Sequence, residues 1–486
     1  MAVDPLLLRS FRPKRPPHQH ATASRLLDSV CSFWMLAPAA VVAYAAWPGH
    51  MSNDSLVQVE QAASGTYTDQ LAWPLIVLWH PLFNLGFGPG YVLTAQVTAL
   101  VLGIYLLLRS TLRHRAAAVI TPLILLVPPV LSMAIFLSRD TWCATALLIA
   151  VASAAHLVAE TRQRHRRWLL AGFALGVGVV LASRQNGVLA ALPVVCVTAM
   201  LTSRDKPLHY RLFRTASWAL VTCVAWGALY LAMRPALNVK SIRPEQSLYV
   251  YDLAAMSHDT RRLLFPAAAL PANLQQLDLL FVPGSPRALL WGPSAPLGYP
   301  LPSARVDELR AAWKEAIVDH PLLYARIRLD LWSRLNGVFT KPIWATHPGI
   351  DPNDMGLRIE HRAANRVMMN YLRVFSDAEN RGSLPYRSTF WIALAIVLWA
   401  TIGRRTRKLR RVALLASVSA VGYEASLLLA APVAQYRLAF PVVLLGVVFV
   451  VLGAAEAQRV FTGRKRTGSA LVKSSPSWPV GAGAAD

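Results

Sequence analysis

Asp54, the Arg139-Asp140 pair, Arg184 and Arg437 are far apart along the chain, yet each stands outside the long apolar runs, near the end of one. A carboxylate at such an edge can take the proton of a hydroxyl group. A guanidinium binds phosphate through a planar fork and keeps its charge, so it suits a phosphate that gains negative charge on leaving. Charge beside hydrocarbon is costly unless paired or solvated, so three singly placed arginines point to a shared partner, and an anionic lipid headgroup is one. For any one arginine, snorkelling to the interface is the simpler account, and Asp140 equally suits a helix cap. For all three together that account weakens. At Asp54, complementing the positive end of a helix and doing chemistry stand level.

The runs that place these residues leave no room for a soluble fold. Hydrophobic residues make up 55% of 486 positions and mean hydropathy is +0.40. Ten runs long enough to span a bilayer fall at 26–47, 89–108, 117–137, 141–159, 168–182, 187–201, 215–233, 388–403, 412–430 and 438–455. The expected class is an all-α polytopic membrane protein. With the N-terminus inside, 27 of the 49 Lys and Arg residues lie in 1–25, 109–116, 160–167, 202–214, 404–411 and 456–486. The short outward turns hold only Arg139, Arg184 and Arg437. Retention of basic loops in the cytoplasm accounts for most of the +24 net charge. Nucleic acid need not be invoked, although the pI is near 10.6; anionic lipid at the inner leaflet is the partner the basic loops imply.

The expected organisation is a basic cytoplasmic leader (1–25), a transmembrane core (26–233) with a first outward loop (48–88), a large outward domain (234–387), three further spans (388–455) and a cytoplasmic tail (456–486). Both termini lie inside an inner (plasma) membrane and the active face is periplasmic or extracellular. Ala43-Tyr44-Ala45 mimics a signal-peptidase site, but the preceding run is better suited to spanning, and the tail after Gly463 reads as disordered. Cys31, Cys143, Cys196 and Cys223 all fall in apolar spans, so no disulfide staples the outward domain and no pair has metal-ligand spacing. In the first outward loop, Ser55 and Gln58 have capping-box spacing and Gly65 supplies a stop, which predicts a short interfacial helix with Asp54 just before it. A second interfacial helix is expected in 70–88, where Trp73 and Trp79 read as an aromatic belt and His80 as a packing residue beside Pro81.

Asn53-Asp54-Ser55 with Gln58 and Gln61-Ala62, followed by Gly65-Thr66-Tyr67-Thr68-Asp69 and His80-Pro81, resembles the first periplasmic loop of bacterial GT-C glycosyltransferases that use polyprenyl-phosphate sugars. Arg139-Asp140, Arg184-Gln185-Asn186-Gly187 and Tyr436-Arg437 before Phe440-Pro441 are similar to later outward motifs of that group, and 313–328 resembles its uncharacterised branch. Such relatives include protein O-mannosyltransferases and the aminoarabinose transferase of lipid A. The resemblance implies a GT-C fold and an inverting transfer from a polyprenyl-phosphate donor to a cell-envelope hydroxyl on a glycan, glycolipid or protein. Asp54 would be the general base, and Arg184, Arg437, Arg139, Tyr436 and Gln185 would bind the donor phosphate. Asp140, Asp69 and His80 would contact the acceptor or a metal, with a divalent cation between Asp54 and Asp140 possible and not required. The sequence differs in its single acid at Asn53-Asp54 and in Gln435, where an acid often stands.

In the outward domain, Tyr251-Asp252 and Ser257-His258-Asp259 read as solvated or capping residues, and Trp291, Trp313, Trp332 and Trp344 as interface anchors more than sugar platforms. A lipid-linked polymerase or ligase centred on Arg261, Arg262 or His320 is the alternative reading. A lipid or sugar transporter is a third, against which stands the lack of an internal repeat.

Overall fold

The computed structural model describes residues 17–160, 162–266, 273–292, 294–403 and 406–472. Among them there is no strand, only isolated bridges between loop segments. The first half of the chain gives α1 (Pro17–Ala46), α2 (Asn53–Ser64), α3 (Trp73–Asn84), α4 (Pro89–Arg109), α5 (His114–Leu125), α6 (Pro128–Ala134), α7 (Arg139–Ala159), α8 (Gln163–Ser183), α9 (Gly187–Thr202) and α10 (Leu208–Ala236). The 237–387 segment follows with α11 (Gln246–Thr260), α12 (Leu274–Leu280), α13 (Arg287–Leu290), α14 (Ser303–Asp319), α15 (Pro321–Asn336) and α16 (Arg362–Arg373). The chain closes with α17 (Ser388–Leu398), α18 (Arg407–Ala430) and α19 (Tyr436–Val472).

All ten apolar runs are helical, but they are not ten equal spans. Seven helices (α1 from Leu27, α4, α7, α8, α10, α18, and α19 as far as Arg459) are long and apolar enough to cross a membrane. The third run is instead a bent pair, α5 and α6, meeting at 78°. Pro128 and Pro129 force the break, because a residue before proline is pushed out of the helical region, and Val127 is extended at ψ 126°. The sixth and eighth runs are the shorter α9 and α17. Ala43, Tyr44 and Ala45 lie inside the unbroken α1, and α19 runs to Val472. Most of the 1–25 leader, and 473–486, fall outside the described residues.

Lipid cannot drive helices together by the hydrophobic effect, so close contact relies on small residues. A Cβ on Gly176 of α8 would meet the backbone of Ala146 and Ala150 of α7, and one on Gly422 of α18 would meet the Leu189 carbonyl of α9. α7 and α19 are the most buried spans, whereas α10 has no buried residue and turns Leu212, Phe213, Leu220 and Val221 outward. Basic loops lie at one end of the bundle. The opposite end carries the N-termini of α7, α9 and α19, the C-termini of α8 and α18, and the described residues of 237–387.

That segment is ordered by buried charge rather than disulfides. Arg328 of α15, 4% exposed, donates to the Leu427, Leu428 and Ala431 carbonyls at 3.3, 2.9 and 2.9 Å, capping the C-terminus of α18. Its charge is met by Asp252 of α11 at 3.2 Å, which also accepts from Trp313 Nε1 at 2.9 Å. Burial raises the Asp252 pKa against the pull of Arg328, and the pair makes α11, α14, α15 and α18 one unit. Trp332 and Asn336 donate to Glu424 Oε2 at 2.7 and 2.9 Å beside it. Trp313 and Trp332 are therefore internal donors, not interface anchors. Arg328→Met is expected to lower the unfolding free energy in detergent by about 3–5 kcal/mol, read from the shift of the unfolding midpoint, because it leaves a buried carboxylate alone; adding Asp252→Leu should recover part of the loss.

Candidate active site

Asp54 is placed by its neighbours on both sides. Residues 50–51 run between two segments: His50 N–H donates to the Ile135 carbonyl at 2.9 Å and Leu137 N–H to that of His50 at 3.0 Å, while Met51 N–H donates to Gly349 at 2.8 Å and Asp351 N–H to Met51 at 2.9 Å. Fully buried His50 locks this ladder, with Nδ1 at 2.5 Å from the His347 carbonyl and Nε2 at 2.7 Å from Asn365 Nδ2. One ring nitrogen must donate and the other accept, so His50 is the neutral Nδ1–H tautomer. Burial, outweighing the carbonyl contact, lowers its pKa to about 4.

From this ladder α2 starts at Asn53, so Asp54 lies in the first turn rather than before it. The Ser55–Gln58 capping box does not form, since Gln58 Nε2 donates to the Asp54 carbonyl at 3.0 Å. Ser52 stands at the N-cap without a side-chain cap bond, and Asn53 N–H is taken by Asp351 Oδ2 at 3.0 Å instead. Gly65 ends the helix at φ +69°, as expected.

Fully buried Gln96 of α4 holds the turn into α7. Its Nε2 donates to the Ala134 and Phe136 carbonyls at 3.2 and 2.9 Å, and its Oε1 accepts from Ser138 N–H at 3.4 Å. The Ser138 side chain caps Asp140 N–H at 3.1 Å, which frees the Asp140 carboxylate to pair with Arg184. Arg184 Nε also donates to Asn186 Oδ1 at 3.0 Å, and Asn186 to Ser426 Oγ at 2.7 Å, tying α8, α9 and α18 together. Arg437, at the start of α19, donates through Nη2 to Asp54 Oδ2 at 2.6 Å, and its Nε lies 2.8 Å from Gln435 Oε1 and 3.7 Å from Asp140 Oδ2.

These residues face a cavity of about 620 Å³ at the end of the bundle. Asp54, Arg139, Asp140, Arg184, Gln185 and Arg437 all line it. Burial alone would raise the Asp54 pKa, but Arg437, Arg139 and Arg287 together carry it below the usual carboxylate value, so it is ionised at neutral pH. Arg437 uses Oδ2, and Oδ1 has no hydrogen-bond partner among the described residues. Arg139 touches only the Gln70 carbonyl, at 3.4 Å, and Arg287 lies 5.3 Å over the Trp344 ring; neither has a carboxylate within ion-pair distance among the described residues. Outward residues Glu245, Arg287, Trp291, Tyr299, Trp344, His347 and Asp351 complete the walls. Their sequence gave no signal beyond aromatic and charged character in a long loop. Trp291 and Trp344 therefore face the cavity rather than serving as interface anchors.

Other expected residues lie elsewhere. Asp69 accepts from Arg234, Ser241 and Ile242 N–H at 3.0, 2.7 and 2.7 Å, fastening α10 to the first loop, and it does not line the cavity. His80 bonds the Ala62 carbonyl at 2.7 Å and Asn84 at 3.0 Å, holding α2 against α3 outside the cavity. Tyr436 is buried, its hydroxyl donating to Pro129 at 3.0 Å, so only its neighbour Arg437 reaches the site. Trp73 and Trp79 are buried in a small core with Leu56 and Val59, not spread as a belt. Asp252 and His258 are paired with Arg328 and Asp278, and surface Arg261 also pairs with Asp278, at 2.8 Å. Arg261, Arg262 and His320 do not line the cavity.

Two carboxylates with Arg437 already between them make a poor cation site. No group of three or more His, Cys, Asp or Glu side chains able to hold a metal converges among the described residues.

No family model matches the chain, and no curated protein sequence does. It is similar to a solved structure, ArnT from Cupriavidus metallidurans bound to undecaprenyl phosphate, at 18% identity over 86% of this chain and 77% of that one, with a TM-score of 0.32. Likeness that loose carries no argument for the site, which stands on its own residues.

The neutral His50 makes the ladder acid-sensitive. The unfolded chain binds a proton at His50 below pH about 6.5 while the folded one refuses it until about 4. Stability contributed here is thus complete above pH 6.5 and falls as pH drops through this window, by about 1.4 kcal/mol per unit. Detergent melts of wild type and His50→Gln from pH 7.5 to 4.5 should show the slope in wild type and a flatter profile in the variant.

Proposed function

We propose that the chain is a membrane glycosyltransferase of the GT-C kind, moving a sugar from a polyprenyl-phosphate donor to a hydroxyl of a cell-envelope acceptor at the outward face, with inversion. What supports the reading is the pairing pattern among the described residues: an ionised Asp54 with an unbonded oxygen beside two arginines, Arg139 and Arg287, with no carboxylate in ion-pair contact. The cavity lies at the bundle end opposite the basic loops, which the retention of positive loops assigns to the periplasmic or extracellular side.

In the proposed reaction Asp54 Oδ1 takes the proton of the acceptor hydroxyl as its oxygen attacks the anomeric carbon. The bond from that carbon to the phosphate oxygen breaks from the opposite side, and polyprenyl phosphate leaves with the electron pair. Arg139 and Arg287 meet the charge that grows on the phosphate. Arg184 and Arg437 are already engaged by Asp140 and Asp54, which favours a supporting part for them over the phosphate contacts that the sequence resemblance implies. Gln185 reaches the cavity without an ion pair and adds a neutral donor to its wall. Asp140, 1% exposed, holds the two arginines in place rather than meeting the acceptor. The sugar and the acceptor are set by the outward walls.

Turnover of a panel of radiolabelled polyprenyl-phosphate monosaccharides in membranes tests the reading, with protein levels matched. Asp54→Asn is expected to cut transfer by about 10²–10⁴-fold, the range of a positioned base. Transfer surviving at the wild-type rate would remove Asp54 from that role. In the same assay Arg139→Ala and Arg287→Ala should each lower kcat/KM for donor by about 10- to 100-fold, the effect of one charge-assisted hydrogen bond; unchanged kcat/KM values would return the phosphate to Arg184 and Arg437.

A further inference from the structure

The start of α2 is capped in an unusual way. A short helix beginning after Ser52 has a good capping residue in place, because a serine at the N-cap ordinarily accepts from a backbone N–H two or three positions on. Ser52 makes no such bond, and its Oγ lies 3.5 Å from Ser55 Oγ. The first amide of the helix has its acceptor in Asp351, nearly 300 residues later, whose Oδ2 takes Asn53 N–H at 3.0 Å. Asp351 is held for this by its own N–H, which donates to the Met51 carbonyl at 2.9 Å, and its Oδ1 lies 3.4 Å from His347 Nε2. His347 in turn holds its ring through Nδ1 to the Gly349 carbonyl at 2.8 Å and stacks on Phe136 at 5.4 Å.

We infer that Asp351 is a positioning residue for Asp54: a carboxylate of the outward segment that fixes the first turn of α2, so that Asp54 Oδ1 faces the acceptor hydroxyl. The inference rests on the reading of Asp54 as the base. Asp54 is next after the residue whose N–H Asp351 holds, so a shift of that amide rotates the Cα–Cβ direction of Asp54 directly. Arg437 constrains only one carboxylate oxygen from the other side. Without Asp351, Asn53 N–H must turn to water, and the turn that carries the base moves with it. The base is thereby completed only when 347–351 is docked on the ladder at His50 and Met51.

The test uses the full-length protein in detergent or membranes, with Asp351→Ala, which removes the acceptor, and Asp351→Asn, which keeps an oxygen for Asn53 N–H. Two quantities are read: backbone hydrogen exchange of a peptide covering 52–56, and kcat and KM in the transfer assay. Asp351→Ala should speed exchange in that peptide and lower kcat by about 10- to 100-fold, the effect of a misplaced catalytic group, with donor KM within about twofold. Asp351→Asn should restore protection and most of kcat. Unchanged exchange in Asp351→Ala would overturn the cap. Faster exchange with wild-type kcat would overturn the positioning role, as would a loss of kcat that Asp351→Asn does not rescue despite restored protection. If wild type transfers no sugar from any donor, the glycosyltransferase reading fails while the exchange measurement still decides the cap.

Discussion

Arg437 stands between two acids at the end of an apolar bundle, and the geometry of the site follows from that contact. Asp54 and Asp140 arrive on different helices, and with Asp140 almost fully buried each would carry an unpaired charge into a poorly solvated place. Removing one partner from a buried pair costs about 3–5 kcal/mol, mostly through the charge left behind. Arg437 touches Asp54 at 2.6 Å and approaches Asp140 at 3.7 Å, while Arg184 closes on Asp140 from α8. Four elements (α2, α7, α8 and α19) each supply one member. None can move far without exposing the others, and the helix ends are therefore fixed relative to each other although lipid supplies no hydrophobic force between them.

The 237–387 segment obeys the same constraint by a different route. Its residues between α10 and α17 carry no cysteine, so the segment is held by non-covalent contacts, two of which position the cavity walls. Arg328 and Asp252 join it to the end of α18, and the ladder through His50, Met51, Gly349 and Asp351 joins it to α2. Both are internal charge or backbone contacts between residues 76 to more than 290 positions apart in sequence. A chain that must close such long loops before any of these contacts forms depends on their acting together, and this explains why the walls of the cavity come from both halves of the sequence.

The ten apolar runs, the sorting of basic loops and the convergence of Arg139, Asp140, Arg184 and Arg437 with Asp54 on one cavity were legible, because hydropathy and charge act through local sequence. Local sequence also gave the stop at Gly65. It misled where a tertiary partner outbid a near neighbour. Ser55 and Gln58 have the right spacing for a capping box, yet the helix begins at Asn53, whose amide Asp351 takes, and Gln58 turns back to the Asp54 carbonyl. Asp140 reads as a cap, yet Ser138 does that and leaves the carboxylate to Arg184. Asp69 and His80 sit in the run that carries the family resemblance, but Arg234 and the Ala62 carbonyl claim them for packing, and Tyr436 differs from Arg437 only in which way one turn of helix points it. Arg287, Asp351 and Gln96 could not be picked out, since a lone charge in a long loop and a lone amide in a span carry no periodicity to mark them.

Charge pairing also narrows what the cavity can accept. Of its four acids, Asp54 and Asp140 are met by Arg437 and Arg184, Glu245 by Arg243 at 3.2 Å, and Asp351 by Asn53 N–H. Arg139 and Arg287 remain as cations without an acid in contact among the described residues, one on the bundle and one on the 237–387 segment. A neutral ligand would leave both uncompensated in a partly apolar space, which also includes Met133, Phe136, Leu427 and Leu438. A ligand with one phosphate and a hydrocarbon tail answers both the charge and the apolar wall. On the proposed reaction the same balance shifts during turnover: the phosphate gains charge as it leaves, and it does so between two guanidiniums that have no other acid to release. The pairing that keeps Arg184 and Arg437 on Asp140 and Asp54 is then what leaves the right number of cations free.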